Sequence, residues 1–178
     1  LQGDWSSDVC SSDLATLCHP NSTDFGNLSG TPYNPTYDNA IVGCAVKNGP
    51  AFSTNTTYSD PAASSTVGYF QTLLSKGYHL GPLADMDNHN SATMGRSNQG
   101  RTVVLATART KAALWDAILN MRFYATEDYN IQANFTVNGN LPMGSIVVGV
   151  TNPSFAINTS DPDGESVSDR KSTRLNSS

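Results

Sequence analysis

The sequence is short of positive charge, of histidine and of long apolar stretches. Lysine and arginine number 10 against 15 aspartate and glutamate residues, and the 178 residues carry a formal net charge of −5. Because nucleic acids and anionic membranes attract basic surfaces, we expect no nucleic-acid partner. No apolar run reaches the length of a membrane span, which predicts no transmembrane segment. The sequence also contains no glycine-rich phosphate loop, no four-cysteine zinc pattern and no nucleophile elbow, which excludes the catalytic sites built on them.

The two ends of the chain look foreign to the rest. The tail DRKSTRLNSS (Asp169 to Ser178) can be written as a DNA sequence whose reverse complement, read in a shifted frame, encodes WSSDVCSSD. That peptide is the segment Trp5 to Asp13 near the other end. Both ends therefore resemble translated read-through of one sequencing adapter. We expect residues 1–14 and 169–178 not to be native, and residues 15–168 to be an internal piece of a longer protein.

Outside these ends two cysteines remain, Cys18 and Cys44. They could form a disulfide or stay as thiols, and their number does not decide between the two. The scarcity of lysine and the abundance of asparagine, serine and threonine favour a secreted or periplasmic protein.

Residues 15–128 alternate between strand and helix patterns. Continuous apolar runs predict buried strands, and apolar side chains at helical spacing predict helices. The predicted strands are ATLCH (15–19), IVGCAV (41–46), LGPLADM (80–86) and TVVLAT (102–107). One predicted helix begins at Ser64 or Ser65 and ends at Gly77. A second runs from about Thr110 to Met121. This alternation is typical of an α/β parallel sheet or barrel.

The pattern changes after Asp128. Apolar and polar residues alternate from Ile131 to Val137, Asn138-Gly139 predicts a turn, and Ser145 to Val150 predicts a return strand. A further strand and turn are predicted in FAINTSDPDGE. We therefore expect residues 129–168 to be a β-rich segment or the start of a β-sandwich domain, with a hairpin that closes the α/β part as the alternative.

Side chains that could bind a metal follow two of the predicted strands. His19 ends the first strand, and Asp87 and His89 follow LGPLADM. In α/β barrels the carboxyl ends of the strands converge on the active site. On an extended segment an Asp-x-His pair places its carboxylate and imidazole on the same side, where they can share a divalent cation. Taken alone, a histidine at a strand end or an Asp-x-His pair is also common at ordinary surface positions. The metal site is favoured because both lie at the same place relative to a predicted strand. We expect an extended His19, because it precedes Pro20.

Four neighbours of these residues have two interpretations each. Asp85 could orient a ligand histidine or be a solvated loop acid. Asn88 and Asn90 could shape the loop or touch a substrate. Arg101 could hold a substrate phosphate or pair with an acid to fix a loop. The sequence identifies no general acid.

Several segments together resemble the second half of the PHP family (polymerase and histidinol phosphatase), most of all its secreted, CehA-like branch. They are CHP, VKNGP, LLSKGYHLGPLADMDNH, GRTVVLA and MRFYATED, and the resemblance covers roughly residues 15–144. It implies the C-terminal half of a distorted (β/α)7 barrel that holds two or three divalent ions (zinc, manganese or iron). It further implies that His19, Asp87 and His89 are metal ligands and that the other ligands lie upstream.

The chain departs from the family pattern at two places. Asp85-Met86 stands where the family often has Gly-Ser, and Ala45 or Lys47 stands where some relatives carry an acid. The middle strand therefore supplies no acidic ligand at these positions.

The resemblance implies hydrolysis of a small phosphoester, or of another ester, by a metal-bound hydroxide. Because the early ligands are not in this chain, we expect the chain itself to bind metal weakly and to be inactive. The alternative is a secreted, non-catalytic binding or surface module in which the β-rich end carries the function beside a degenerate barrel. The metal content of the longer protein would distinguish them.

Overall fold

The computed structural model describes residues 14–57, 60, 62–90 and 98–164. The adapter-like ends other than Leu14, and residues 165–168 of the predicted β-rich segment, lie outside the described residues.

Strands dominate this part of the chain. They are β1 (Ala15–Leu17), β2 (Ile41–Asn48), β3 (Ser64–Ser65), β4 (Gly81–Asp85), β5 (Arg101–Val104), β6 (Phe123–Thr126), β7 (Gln132–Val137), β8 (Leu141–Pro142) and β9 (Phe155–Ser160). The α-helices among them are α1 (Pro35–Ala40), α2 (Val67–Lys76) and α3 (Lys111–Leu119), and a 3-10 turn covers Phe25–Asn27. Both helices predicted from periodicity are confirmed. Gly77 ends α2 in the left-handed region, and the Thr110 side chain caps α3. The N-cap residue of α2 is Thr66, not Ser64 or Ser65.

The first sheet is parallel at its centre. β2 pairs in parallel with β1 on one side and with β4 on the other, and β3 pairs antiparallel with the last residues of β2. Helix α2 closes the core of this sheet with Leu73. The buried cluster is Leu17, Leu28, Ile41, Cys44, Leu73, Tyr78 and Leu80.

The predicted (β/α)7 barrel half is wrong. The described strands form three small sheets of four, two and three strands, and they do not close into a barrel. The parallel strand pairing does not continue at β5, because β5 pairs antiparallel with β6. The reason is where α3 ends: Arg122 N–H donates to Ala117 O (2.8 Å), and Leu105 N–H donates to Arg122 O (2.8 Å). The helix thus returns the chain to the end of β5 instead of its beginning, so β6 runs back along β5.

The third sheet has the order β8-β7-β9 and is antiparallel throughout. Asn138 and Gly139 form the predicted turn with positive φ angles of 53° and 80°. The predicted return strand Ser145 to Val150 is wrong: β7 pairs with the short β8 after the turn and with β9 on its other side. The chain leaves the sheet at Gly144, where a Cβ would lie 1.8 Å from Asn120 O, so only glycine allows the chain to pass there.

No helix within the described ranges has the length and apolar character needed to cross a lipid bilayer.

Candidate functional site

The candidate site lies where the parallel strands β1, β2 and β4 end. Because these strands run in the same direction, the residues that follow them meet at one edge of the sheet. We call this the carboxyl edge, and its chemistry-bearing residues are Cys18, His19, Asn48, Asp85, Asp87 and His89.

Asp87 and His89 are in direct contact. His89 Nε2 lies 3.0 Å from Asp87 Oδ1. Asp87 has a φ of +52°, so the extended geometry expected for the Asp-x-His segment is wrong and a local bend brings the two side chains together. The loop after β2 supports His89: its N–H donates to Ala51 O (2.8 Å), and its ring centroid lies 5.3 Å from that of Phe52.

Asn48, the last residue of β2, completes the contact. Its Nδ2 donates to Asp87 Oδ2 over 2.8 Å. The next residue brings the two strand ends together, since Gly49 N–H donates to Asp85 O (2.9 Å) and a Cβ on Gly49 would lie 2.4 Å from Met86 O. Asn48 was not among the site residues predicted from the sequence. Its position after a buried parallel strand, like that of His19, was the signal that could have identified it.

His19 lies at the same edge but outside this contact. It is exposed and has a φ of +33°, so the extended conformation expected before Pro20 is wrong. Among the described residues no three His, Cys, Asp or Glu side chains are gathered closely enough to hold a metal ion. The structure therefore brings together Asp87 and His89 of the predicted ligands, and does not bring His19 to them as a third.

Asp85 connects these side chains electrostatically. Burial raises its pKa, the thiol of Cys18 lowers it by a hydrogen bond, Asp87 raises it and His19 lowers it. Asp85 is thus a half-buried carboxyl within reach of two strand ends, and not the solvated loop acid of the simpler interpretation.

The other predicted neighbours contact their own loops. Asn88 Oδ1 accepts from Asn90 N–H (2.7 Å), which closes a small turn after Asp87. Arg101 Nη1 donates to the carbonyls of Asn98, Gln99 and Gly100 over 2.9 to 3.3 Å. These contacts fit the loop-shaping interpretation, and a role in substrate binding stays a prediction.

Both described cysteines are free thiols. Cys44 is fully buried, and burial, followed by the charges of Asp85 and Cys18, raises its pKa to about 12. Burial, followed by the charge of Asp85, also raises the pKa of the more exposed Cys18.

A second histidine–aspartate pair lies at the amino end of β4. His79 Nδ1 is 2.8 Å from Asp38 Oδ2, and His79 N–H also donates to that carboxylate. Burial acts to raise the pKa of Asp38, but the hydrogen bonds from His79 and Tyr33 outweigh it and hold the pKa below its ordinary value. Beside this pair lies an open, mainly apolar cleft of about 440 Å³ between Leu80, Phe123 and Met143. The pair is chemically similar to Asp87–His89 but lies at the opposite edge.

No protein-family model, no curated protein and no solved structure matches this chain.

Proposed function

We propose that the carboxyl edge is part of a divalent-metal centre of a hydrolase that acts on phosphoesters. The observation that carries the proposal is the Asp87 carboxylate, which has Nε2 of His89 on one oxygen and Nδ2 of Asn48 on the other. Carboxylate and imidazole groups are the usual ligands of zinc, manganese and iron. The resemblance of the surrounding segments to PHP-family hydrolases supports the same chemistry.

The side chains fit a divalent cation in part. Asp87 and His89 already lie within 3.0 Å of each other, so a small rotation could place both around one ion. Asn48 Oδ1 is buried and accepts no hydrogen bond from the part of the chain that the structure describes. An oxygen left in that condition beside a carboxylate is suited to a positive ligand. His19 would join only if its segment moved.

When bound, the cation would lower the pKa of a coordinated water and offset the negative charge on a phosphoryl group. The chain's own residues would hold and shape the site. Asn48 orients the Asp87 carboxylate, Ala51 O fixes the backbone of His89, and the Phe52 ring lies beside its imidazole at a tilt of 45°.

The test is metal binding by this chain, measured by titration calorimetry with Mn²⁺ and Zn²⁺. Because the PHP resemblance implies further ligands that this chain does not supply, binding should be weak, with a dissociation constant on the order of 10 to 100 µM. His89→Ala should abolish it. His79→Ala is the matched control, because it removes the same kind of histidine–aspartate pair at the opposite edge, and it should leave binding unchanged.

Two results would contradict the proposal: no binding by the unaltered chain, or equal loss of binding in His89→Ala and His79→Ala. Hydrolysis is tested separately, with p-nitrophenyl phosphate and a longer gene product that supplies the further ligands implied by the PHP resemblance. We expect activity there and none in the present chain.

A second candidate function is supported by the third sheet. Strand β9 is exposed along its whole length, and Phe155 and Ile157 are 53% and 69% exposed. Exposed apolar residues of this kind are typical of binding surfaces. A non-catalytic module would show no metal binding, and substitutions at the carboxyl edge would leave its function unchanged.

A further inference from the structure

Asn48 is the most buried polar side chain of the carboxyl edge. The residue is only 5% exposed, because Ser64 of β3 pairs with it on one side and Asp85 of β4 on the other. Its backbone carbonyl accepts from Ala63 N–H (2.7 Å), which further closes the strand end. A polar side chain in such a place is ordinarily fully hydrogen-bonded.

The orientation of the Asn48 amide is set by its neighbours. Nδ2 donates to Asp87 Oδ2 over 2.8 Å and to Gly49 O over 3.4 Å. The flipped amide would place its oxygen against two other oxygens, which is repulsive. Oδ1 therefore remains on the other side of the amide, without a donor among the described residues.

That oxygen lies close to the proposed metal ligands. The two polar atoms of a planar amide are about 2.3 Å apart, so Oδ1 lies within about 5 Å of Asp87 Oδ2. A cation bonded to two oxygens at about 2.0 to 2.6 Å each can bridge a gap of that size after a small side-chain rotation.

We infer that Asn48 is a further metal ligand through Oδ1, and that it strengthens Mn²⁺ binding more than Zn²⁺ binding. The inference rests on the proposed function. Asp87 and Asn48 together supply two oxygen donors to one nitrogen from His89. Carbonyl and carboxylate oxygens suit Mn²⁺, whereas Zn²⁺ in proteins is held mostly by nitrogen and sulfur.

The experiment is titration of this chain and of Asn48→Ala, Asn48→Asp, His89→Ala and His79→Ala with Mn²⁺ and with Zn²⁺. Loss of the carbonyl in Asn48→Ala should weaken Mn²⁺ binding by about tenfold and Zn²⁺ binding by about threefold or less. Asn48→Asp keeps an oxygen donor, so it should bind Mn²⁺ at least as tightly as the unaltered chain.

The aspartate variant also separates a ligand from a residue that only orients Asp87. A second carboxylate beside Asp87 repels it in the metal-free protein, so the melting temperature without metal should fall. If Asn48 is a ligand, Mn²⁺ should then raise the melting temperature of Asn48→Asp by more than that of the unaltered chain. If Asn48 only orients Asp87 through Nδ2, the rise should be smaller. This measurement does not require Asn48→Ala to fold.

The two possible failures differ. If His89→Ala abolishes Mn²⁺ binding while Asn48→Ala does not weaken it, the inference about Asn48 is wrong and the metal centre stands. If the unaltered chain binds neither metal, both are wrong.

Discussion

Nε2 of His89 lies 3.0 Å from Oδ1 of Asp87 because Asp87 adopts a φ of +52°. An extended backbone at this residue would carry the chain past the contact. The left-handed conformation is tolerated by aspartate, asparagine and glycine and is unfavourable for β-branched residues. The contact thus depends on the backbone of Asp87 as well as on its charge.

Replacement of Asp87 should separate these two contributions. We expect Asp87→Asn to lower the free energy of unfolding by about 1 kcal/mol, since one charge-assisted contact is weakened. Asp87→Val should lower it by about 2 to 3 kcal/mol, because backbone strain is added. Urea unfolding measures both. Equal losses would show that a β-branched side chain does not strain the backbone at position 87.

Gly49 should be equally intolerant of a side chain, for a steric reason. A Cβ at Gly49 would lie 2.4 Å from Met86 O and 2.5 Å from Asn98 Nδ2. We expect Gly49→Ala to lower the free energy of unfolding by about 2 to 3 kcal/mol. Gly68→Ala is the control, because a Cβ there meets nothing within 4 Å and α2 should gain up to about 1 kcal/mol. A neutral Gly49→Ala would mean that β2 and β4 approach each other less closely.

The contribution of Asp38 should depend on pH. Its folded-state pKa is lowered by the hydrogen bonds from His79 and Tyr33, against the effect of burial. An acid with a lowered pKa stabilises the fold above its unfolded pKa, and that stability is lost as the pH falls through the folded pKa. At pH 7 we expect Asp38→Asn to lower the free energy of unfolding by about 1 to 3 kcal/mol. Well below the ordinary aspartate pKa the two proteins should converge, and a pH-independent difference would contradict this.

The two thiols should differ in reactivity. Cys44 is 0% exposed and has a pKa of about 12, so very little thiolate forms near neutral pH. Cys18 is exposed, with a pKa raised by burial and by Asp85. With a maleimide at pH 8, peptide mapping should find Cys18 modified slowly and Cys44 modified only after unfolding. Modification of Cys44 in the folded chain at the rate of Cys18 would rule out its buried position.

Local patterns predicted local structure well. The runs that became β2 and β4 and the periodicity of α2 and α3 were visible because burial fixes the spacing of apolar residues. Strand β6 was missed, since Phe123–Thr126 follows a helix directly and is too short to show alternation. Its antiparallel direction depends on the end of α3 beside Leu105, which is a tertiary contact.

The candidate site also combines residues that are close in sequence with residues that only the tertiary fold brings together. Asp87 and His89 are two residues apart, so the sequence could place them in one site, but their contact depends on the positive φ of Asp87, which the extended prediction did not include. The separation of His19 could not be predicted, because it depends on a φ of +33° that the following proline argues against. Asn48 is 39 residues from its partner Asp87, and only the register of β2 with β4 brings them together.

The register of β2 with β4 also determines how well the site resists partial unfolding of the protein. β2 is hydrogen-bonded to β1, β3 and β4 and is buried along nearly its whole length. Amide protons of such a strand exchange with solvent only in the rarest openings, whereas those of the exposed β9 exchange early. Asn48 thus lies in a strand that should be among the last to open. Fraying of the third sheet should therefore leave its hydrogen bond to Asp87 intact.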